Sequence, residues 1–136
     1  MTSTTYTTGG IFKGAFIGGV IAGVVNVALF FAGGVLGAEF FIVQGTAAPE
    51  AIPAFMPFAS TLLQGSLGGG IAFSLINRFS SNPTKGFTIA TAVALVLVTI
   101  MPILMVPEMV AMIILQLMHF VAAGFVLVNV KKFGAA

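Results

Sequence analysis

Four apolar stretches, at positions 11–38, 57–79, 87–106 and 109–130, each hold at most one charged side chain. A helix that crosses the hydrocarbon core of a bilayer needs about 20 predominantly apolar residues, and every one of these stretches is long enough. The chain's few charges stand at their borders. Lys13 lies at the start of the first stretch, Arg78 and Lys85 flank the join of the second and third, and Lys131 and Lys132 follow the fourth. Glu39 and Glu50 fall between the first and second, and Glu108 between the third and fourth. Four crossings therefore put every basic residue on one side of the membrane and every acidic residue on the other. Because Lys and Arg near the ends of spans stay on the cytoplasmic side, the pattern predicts that both termini face the cytoplasm.

Water is the wrong solvent for such a chain. It is 59% hydrophobic and 6% charged, against about a quarter charged in ordinary soluble domains. Eight charged residues cannot cover the core of a 136-residue soluble protein. The expected fold is all-α: a single four-helix transmembrane domain over 1–136, N-in and C-in, with its longest connection on the outer side. The segment before Ile11 is rich in Ser and Thr and has no basic run like that at the head of a secretory signal, so the first helix is expected to remain as a membrane anchor.

The connections differ in character. The inner one, 80–86 (SSNPTKG), is short and carries an Asn-Pro turn signal, which makes the second and third helices antiparallel neighbours. Val106-Pro107-Glu108 reads as a stop followed by a new helix start with an acid suited to the helix dipole, and Pro102 is expected to kink the third span. The outer loop, 39–56, contains Phe40-Phe41-Ile42-Val43, Gly45, Pro49 and Pro53. Two readings are open for it: a short interfacial helix or folded cap, or a first helix that overruns to about Gln44 before a plain linker.

Composition removes several classes of function. Five basic residues do not make the stripe that neutralises nucleic-acid phosphates. The absence of cysteine removes disulfides, thiolate nucleophiles and Cys-based metal sites. No Ser, His and carboxylate can meet within the spans, and one His with three loop glutamates is not a metal-site signature. A non-enzymatic protein without a metal site is expected. No acid lies inside a span, so a carboxylate-driven proton or cation antiport has no group to run on.

Small residues set how closely helices approach. Gly14, Gly18 and Ala22 form one row on the first span, and Gly19 and Gly23 another; Gly65, Gly68, Gly69 and Ala72 make a comparable face on the second. These rows are expected to pack helices, within one chain or between subunits. Polar side chains at membrane depth usually face the bundle interior. Asn26, Gln116 and His119 all fall in mid-span, with Gln116 three residues before His119 on the same helix, and the three are expected to form a hydrogen-bonded cluster. Such a cluster serves either as glue between the first and fourth helices or as a site. Gln64, Ser66, Asn77 and Thr99 are further candidates for a polar path.

Three functions follow as expectations. The first is action by association, as a homo-oligomer or an accessory subunit in a larger membrane complex, through the glycine faces. The second is a channel or carrier for a small solute past the Asn26–His119 cluster. The third is a haem or pigment protein ligated by His119, with a second copy or a Met such as Met105, Met109, Met112 or Met118 as the other ligand.

The stretches VVNVALFF (24–31), LLQGSLGGGIAFSLINRF (62–79) and LQLMHFVAAGFVLV (115–128) together resemble a family of small bacterial four-span membrane proteins of unknown function. An Asn in the first span and a Met-His pair in the last recur there, matching Asn26 and Met118-His119. The resemblance implies a four-span fold and residence in a bacterial inner membrane, and brings no activity or cofactor with it.

Overall fold

A computed structural model describes residues 5–135. Four helices, Thr8–Val35, Met56–Phe79, Pro83–Met105 and Met109–Gly134, are each long and apolar enough to cross a membrane. They are called the first to fourth helices below. Large apolar side chains such as Val96, Leu97, Ile103 and Leu104 point outward, which suits lipid as the surrounding solvent.

Local chemistry fixes where each helix begins and ends. Thr7 caps the first helix, its hydroxyl accepting from Gly10 N–H at 3.1 Å. The helix stops at Val35 because Gly37 adopts φ +87°, a left-handed conformation that glycine takes without penalty. Gly37 N–H then bonds Gly34 C=O and Ala38 N–H bonds Gly33 C=O, which closes a Schellman cap. The third helix starts earlier than the hydropathy border at 87: Asn82 accepts from Lys85 N–H at 3.1 Å, and Pro83 occupies the first turn. Glu108 caps the fourth helix with both carboxylate oxygens, on Val110 N–H at 2.8 Å and Ala111 N–H at 2.6 Å. That helix runs on through Lys131 and Lys132 to Gly134. The third helix passes through Pro102 and ends at Met105.

The outer loop folds into a cap. Phe41–Ile42 pairs antiparallel with Glu50–Ala51 in a two-stranded hairpin, so the first helix does not overrun to Gln44 and no interfacial helix forms. Val43 N–H donates to Met105 C=O at 2.8 Å, tying the hairpin to the end of the third helix. The Phe40 ring stacks on Phe30 at 4.2 Å between centroids. Beside it, Ala38, Phe40, Val106 and Ala111 form one of two buried apolar clusters.

The other cluster lies at the basic end and joins Ile11, Ala15, Phe73, Phe87, Val126 and Val130. The aromatic chain Tyr6–Phe73–Phe87 runs through it with centroid spacings of 4.8 Å. The first and fourth helices make the most extensive pairing, the second packs on the first, and the third lies to one side. The first helix is the most buried and the third the least: 33% of the first helix's most apolar window is buried, against 11% of the third's.

Candidate functional site

The second helix is not α-helical throughout. Thr61–Gly68 is a π-helix, after which α-geometry resumes at Gly69. The wider π turn changes the angular spacing of side chains, and such turns are frequent at functional sites. It directs Thr61, Gln64, Gly65 and Ser66 toward the first and fourth helices. Ser66 donates from its hydroxyl to Ala15 C=O at 3.1 Å, and Thr61 meets Asn26.

Asn26 is the pivot of this region. It is only 2% exposed, and its side-chain N–H2 donates to Thr61 Oγ1 at 2.8 Å and to Met118 C=O at 3.2 Å. A carbonyl can only accept, so the amide nitrogen must face Met118 and the Oδ1 must face elsewhere. One side chain thereby links the first, second and fourth helices. Its Oδ1 is buried and has no partner in the protein. Leaving a buried acceptor unpaired costs about 1–3 kcal/mol.

His119 is half-buried and bonds through Nδ1 to Leu115 C=O at 2.6 Å, one turn back in its own helix. Since that carbonyl accepts, Nδ1 carries a proton, and in the neutral form of the ring Nε2 is then the acceptor. Asn26 and His119 both line a cavity of about 180 Å³, together with Thr61, Gln64, Ser60 and Met118. Ile42 and Ile52 of the hairpin cover it on the side of the acidic residues.

The expected cluster of three polar residues does not form as a hydrogen-bonded unit. Gln116 turns to the third helix, where its N–H2 donates to Thr99 C=O at 2.7 Å, and it does not line the cavity. Residues three apart on a helix differ by about 60° in direction, enough to send Gln116 and His119 to different neighbours. Pro102 has no N–H and leaves the Val98 carbonyl, one turn back, without its helical donor; the carbonyl that Gln116 bonds is the next one, Thr99.

Other candidates for a polar path serve the backbone. Thr99 donates to Val96 C=O in its own helix, and Asn77 donates to Tyr6 C=O. Asn129, which the sequence reading passed over, is buried and donates to Phe125 C=O one turn back. Thr61 was also missed, since a threonine at the end of a span looks like any other until its partner is known.

The glycine rows face inward to different degrees. A Cβ on Gly18 would lie 2.6 Å from Phe125 C=O, and one on Gly14 would strike the Asn129 carbonyl, so this row meets the backbone of the fourth helix. Gly19 and Gly23 instead meet Ser66 and Phe58 of the second helix. Gly65 and Gly69 meet Val126, at 3.2 and 2.8 Å. Gly68 differs from the expectation of a packing glycine: a Cβ there would touch nothing within 4 Å. It borders a second cavity, of about 320 Å³, between the second, third and fourth helices. That cavity is lined almost wholly by apolar residues and shares Gln64, Gly65, His119 and Ala122 with the first.

A family model described as a family of unknown function (DUF6069) matches residues 7–135 of the chain. No curated protein and no solved structure matches it.

Proposed function

The chain belongs to DUF6069, a family of unknown function, and from that premise we propose that it is a non-enzymatic membrane protein that holds a small uncharged molecule between Asn26 and His119. The observation that carries this reading is the unpaired, buried Oδ1 of Asn26 on a cavity that His119 also lines. Asn26 Oδ1 has no donor in the protein, His119 Nε2 is an acceptor in the neutral ring, and no acid lines the cavity to balance a cation. A neutral hydrogen-bond donor is the complementary ligand. Carriage of that molecule across the bilayer is the corresponding transport reading, with the basic end of the bundle on the cytoplasmic side.

Native mass spectrometry of the protein extracted in mild detergent, paired with an absorption spectrum, tests the reading. A colourless protein with a neutral organic adduct that Asn26→Leu loses is the expected result. A wild type as bare as the variant would sink it, and a visible band would replace it with a haem or pigment bound at His119.

A second reading, association with itself or with other membrane subunits, draws on the third helix, the least covered of the four. The glycines of the first helix are already used inside the chain, so such contact would fall on the third helix's outward face. The mass of the solubilised particle checks this: a lone monomer counts against it.

A further inference from the structure

The two cavities meet at one wall. Gln64, Gly65, His119 and Ala122 line both. On one side of that wall are the polar groups of Asn26, Thr61 and Ser60 under the hairpin. On the other is a cleft lined by Gly68, Gly69, Ala72, Ala90 and Ala94, which runs toward Phe87 at the basic end. Small residues on both flanks keep this cleft open, and Gly68 has clear space where a side chain would stand. The second and third helices touch mainly through the α-helical stretch Gly69–Phe79 rather than the π-helical one, so they part beside the shared wall.

Resting on the reading of the Asn26–His119 cavity as a ligand site, we infer that its ligand is a membrane-dissolved amphiphile whose uncharged, donor-bearing head sits against Asn26 and His119 while its apolar chain lies in the Gly68–Ala94 cleft. Two independent observations converge on it. Asn26 Oδ1 has no donor in the protein, as is true of Gln116 Oε1 and Ser74 Oγ, but of these three residues only Asn26 lines either cavity; in hydrocarbon, where water does not compete, a hydroxyl or amide N–H of a lipid-like molecule is the group that would satisfy it on a small shift of the side chain. The cleft beyond the shared wall has the volume, about 320 Å³, and the apolar lining for a chain. A purely aqueous solute would leave the cleft without a role.

The experiment follows the Asn26 side-chain amide and His119 ring resonances of the protein in phosphatidylcholine nanodiscs, titrated with dodecanol, dodecyl methyl ether and butanol. Affinities are compared at equal concentration in the bilayer. Dodecanol is expected to shift both signals, and the ether, which has the same chain and no donor, to bind about tenfold more weakly, as loss of one hydrogen bond predicts. Gly68→Leu places a side chain into the cleft from a position whose Cβ meets nothing within 4 Å, and it is expected to weaken dodecanol about tenfold while leaving butanol unchanged. Its retained butanol response shows that the variant is folded. If butanol and dodecanol bind alike and Gly68→Leu alters neither, the amphiphile is overturned and a small solute keeps the cavity. If no probe moves the two signals, or the ether matches the alcohol, the reading of the cavity falls with it.

Discussion

The seam between the first and fourth helices and the cleft between the second and third are both rich in glycine and alanine, yet one is closed and the other open. At the seam, Gly14 and Gly18 bring backbone against backbone, with Phe125, Val126, Asn129 and Val130 at contact distance. At the cleft, Gly68 faces empty space, and Gly69 reaches side chains, Val126 at 2.8 Å and Phe87 at 4.0 Å, and no backbone. Both sets are helical, so the difference is not one of glycine conformation. It arises from what stands opposite. Where two helices run side by side, small residues permit van der Waals contact along their length. Where the π-helical stretch and the hairpin hold helices apart, the same residues leave a passage.

The largest expected effect tests the closed side. Gly18→Leu places its Cβ against the Phe125 carbonyl and the Val126 backbone, neither of which can rotate away. Overpacking of this kind costs about 3 kcal/mol or more, read as a lower thermal midpoint in detergent. Next comes the polar link between the two regions. Asn26→Ala removes bonds to Thr61 and Met118, and a double-mutant cycle with Thr61→Ala is expected to give a coupling of about 0.6 kcal/mol, with about 1.7 as an upper bound. A coupling near zero would mean that Asn26 does not join the second helix to the core.

A more local effect falls on the fourth helix. Hydrogen bonds from Ala111 and Val110 N–H hold the Glu108 carboxyl below its ordinary pKa of 4.5. A group lowered on folding contributes stability that is present above its unfolded pKa and lost as pH falls through the folded one. Protection of the Val110 and Ala111 amides, measured as the exchange rate relative to the intrinsic rate at each pH, should therefore fall as the medium is acidified from neutral to below the carboxylate range. In Glu108→Gln that protection should already be lower at neutral pH and change little on acidification. The smallest expected effect tests the open side: Gly68→Leu should change stability by less than about 0.5 kcal/mol. If it costs as much as Gly18→Leu, the cleft is closed and the contrast between the two regions fails.

The four spans were legible because lipid imposes a length and a polarity that few other folds share, and the placement of Lys13, Arg78, Lys85, Lys131 and Lys132 supports that count from a separate direction. Borders were less so, since they depend on single residues: Asn82 starts the third helix ahead of the hydropathy, and Gly37 ends the first one early. The hairpin at Phe41–Ile42 and Glu50–Ala51 was hidden because its anchors are distant, the Met105 carbonyl and the Phe30 ring. Asn26 and His119 stood out by their rarity in apolar sequence, whereas Thr61 acquires its role only from the bond it receives. The π-helix that brings Thr61 into reach left no periodicity to read, and the third-helix partner of Gln116 depended on which way one side of a helix turned.

The segment before the first helix is hydrogen-bonded to the end of the fourth. Tyr6 forms an antiparallel bridge with Ala135, Thr7 N–H donates to Gly134 C=O at 3.0 Å, and the Tyr6 hydroxyl reaches Thr84 at 2.7 Å. Tyr6 and Ala135 this close make the topology a nearly closed ring. A short peptide joining them, with new termini cut at the Gly45 tip of the hairpin, would yield a circular permutant that keeps every helix contact. Its termini would then emerge on the opposite face of the membrane, where a fused reporter would experience the other compartment.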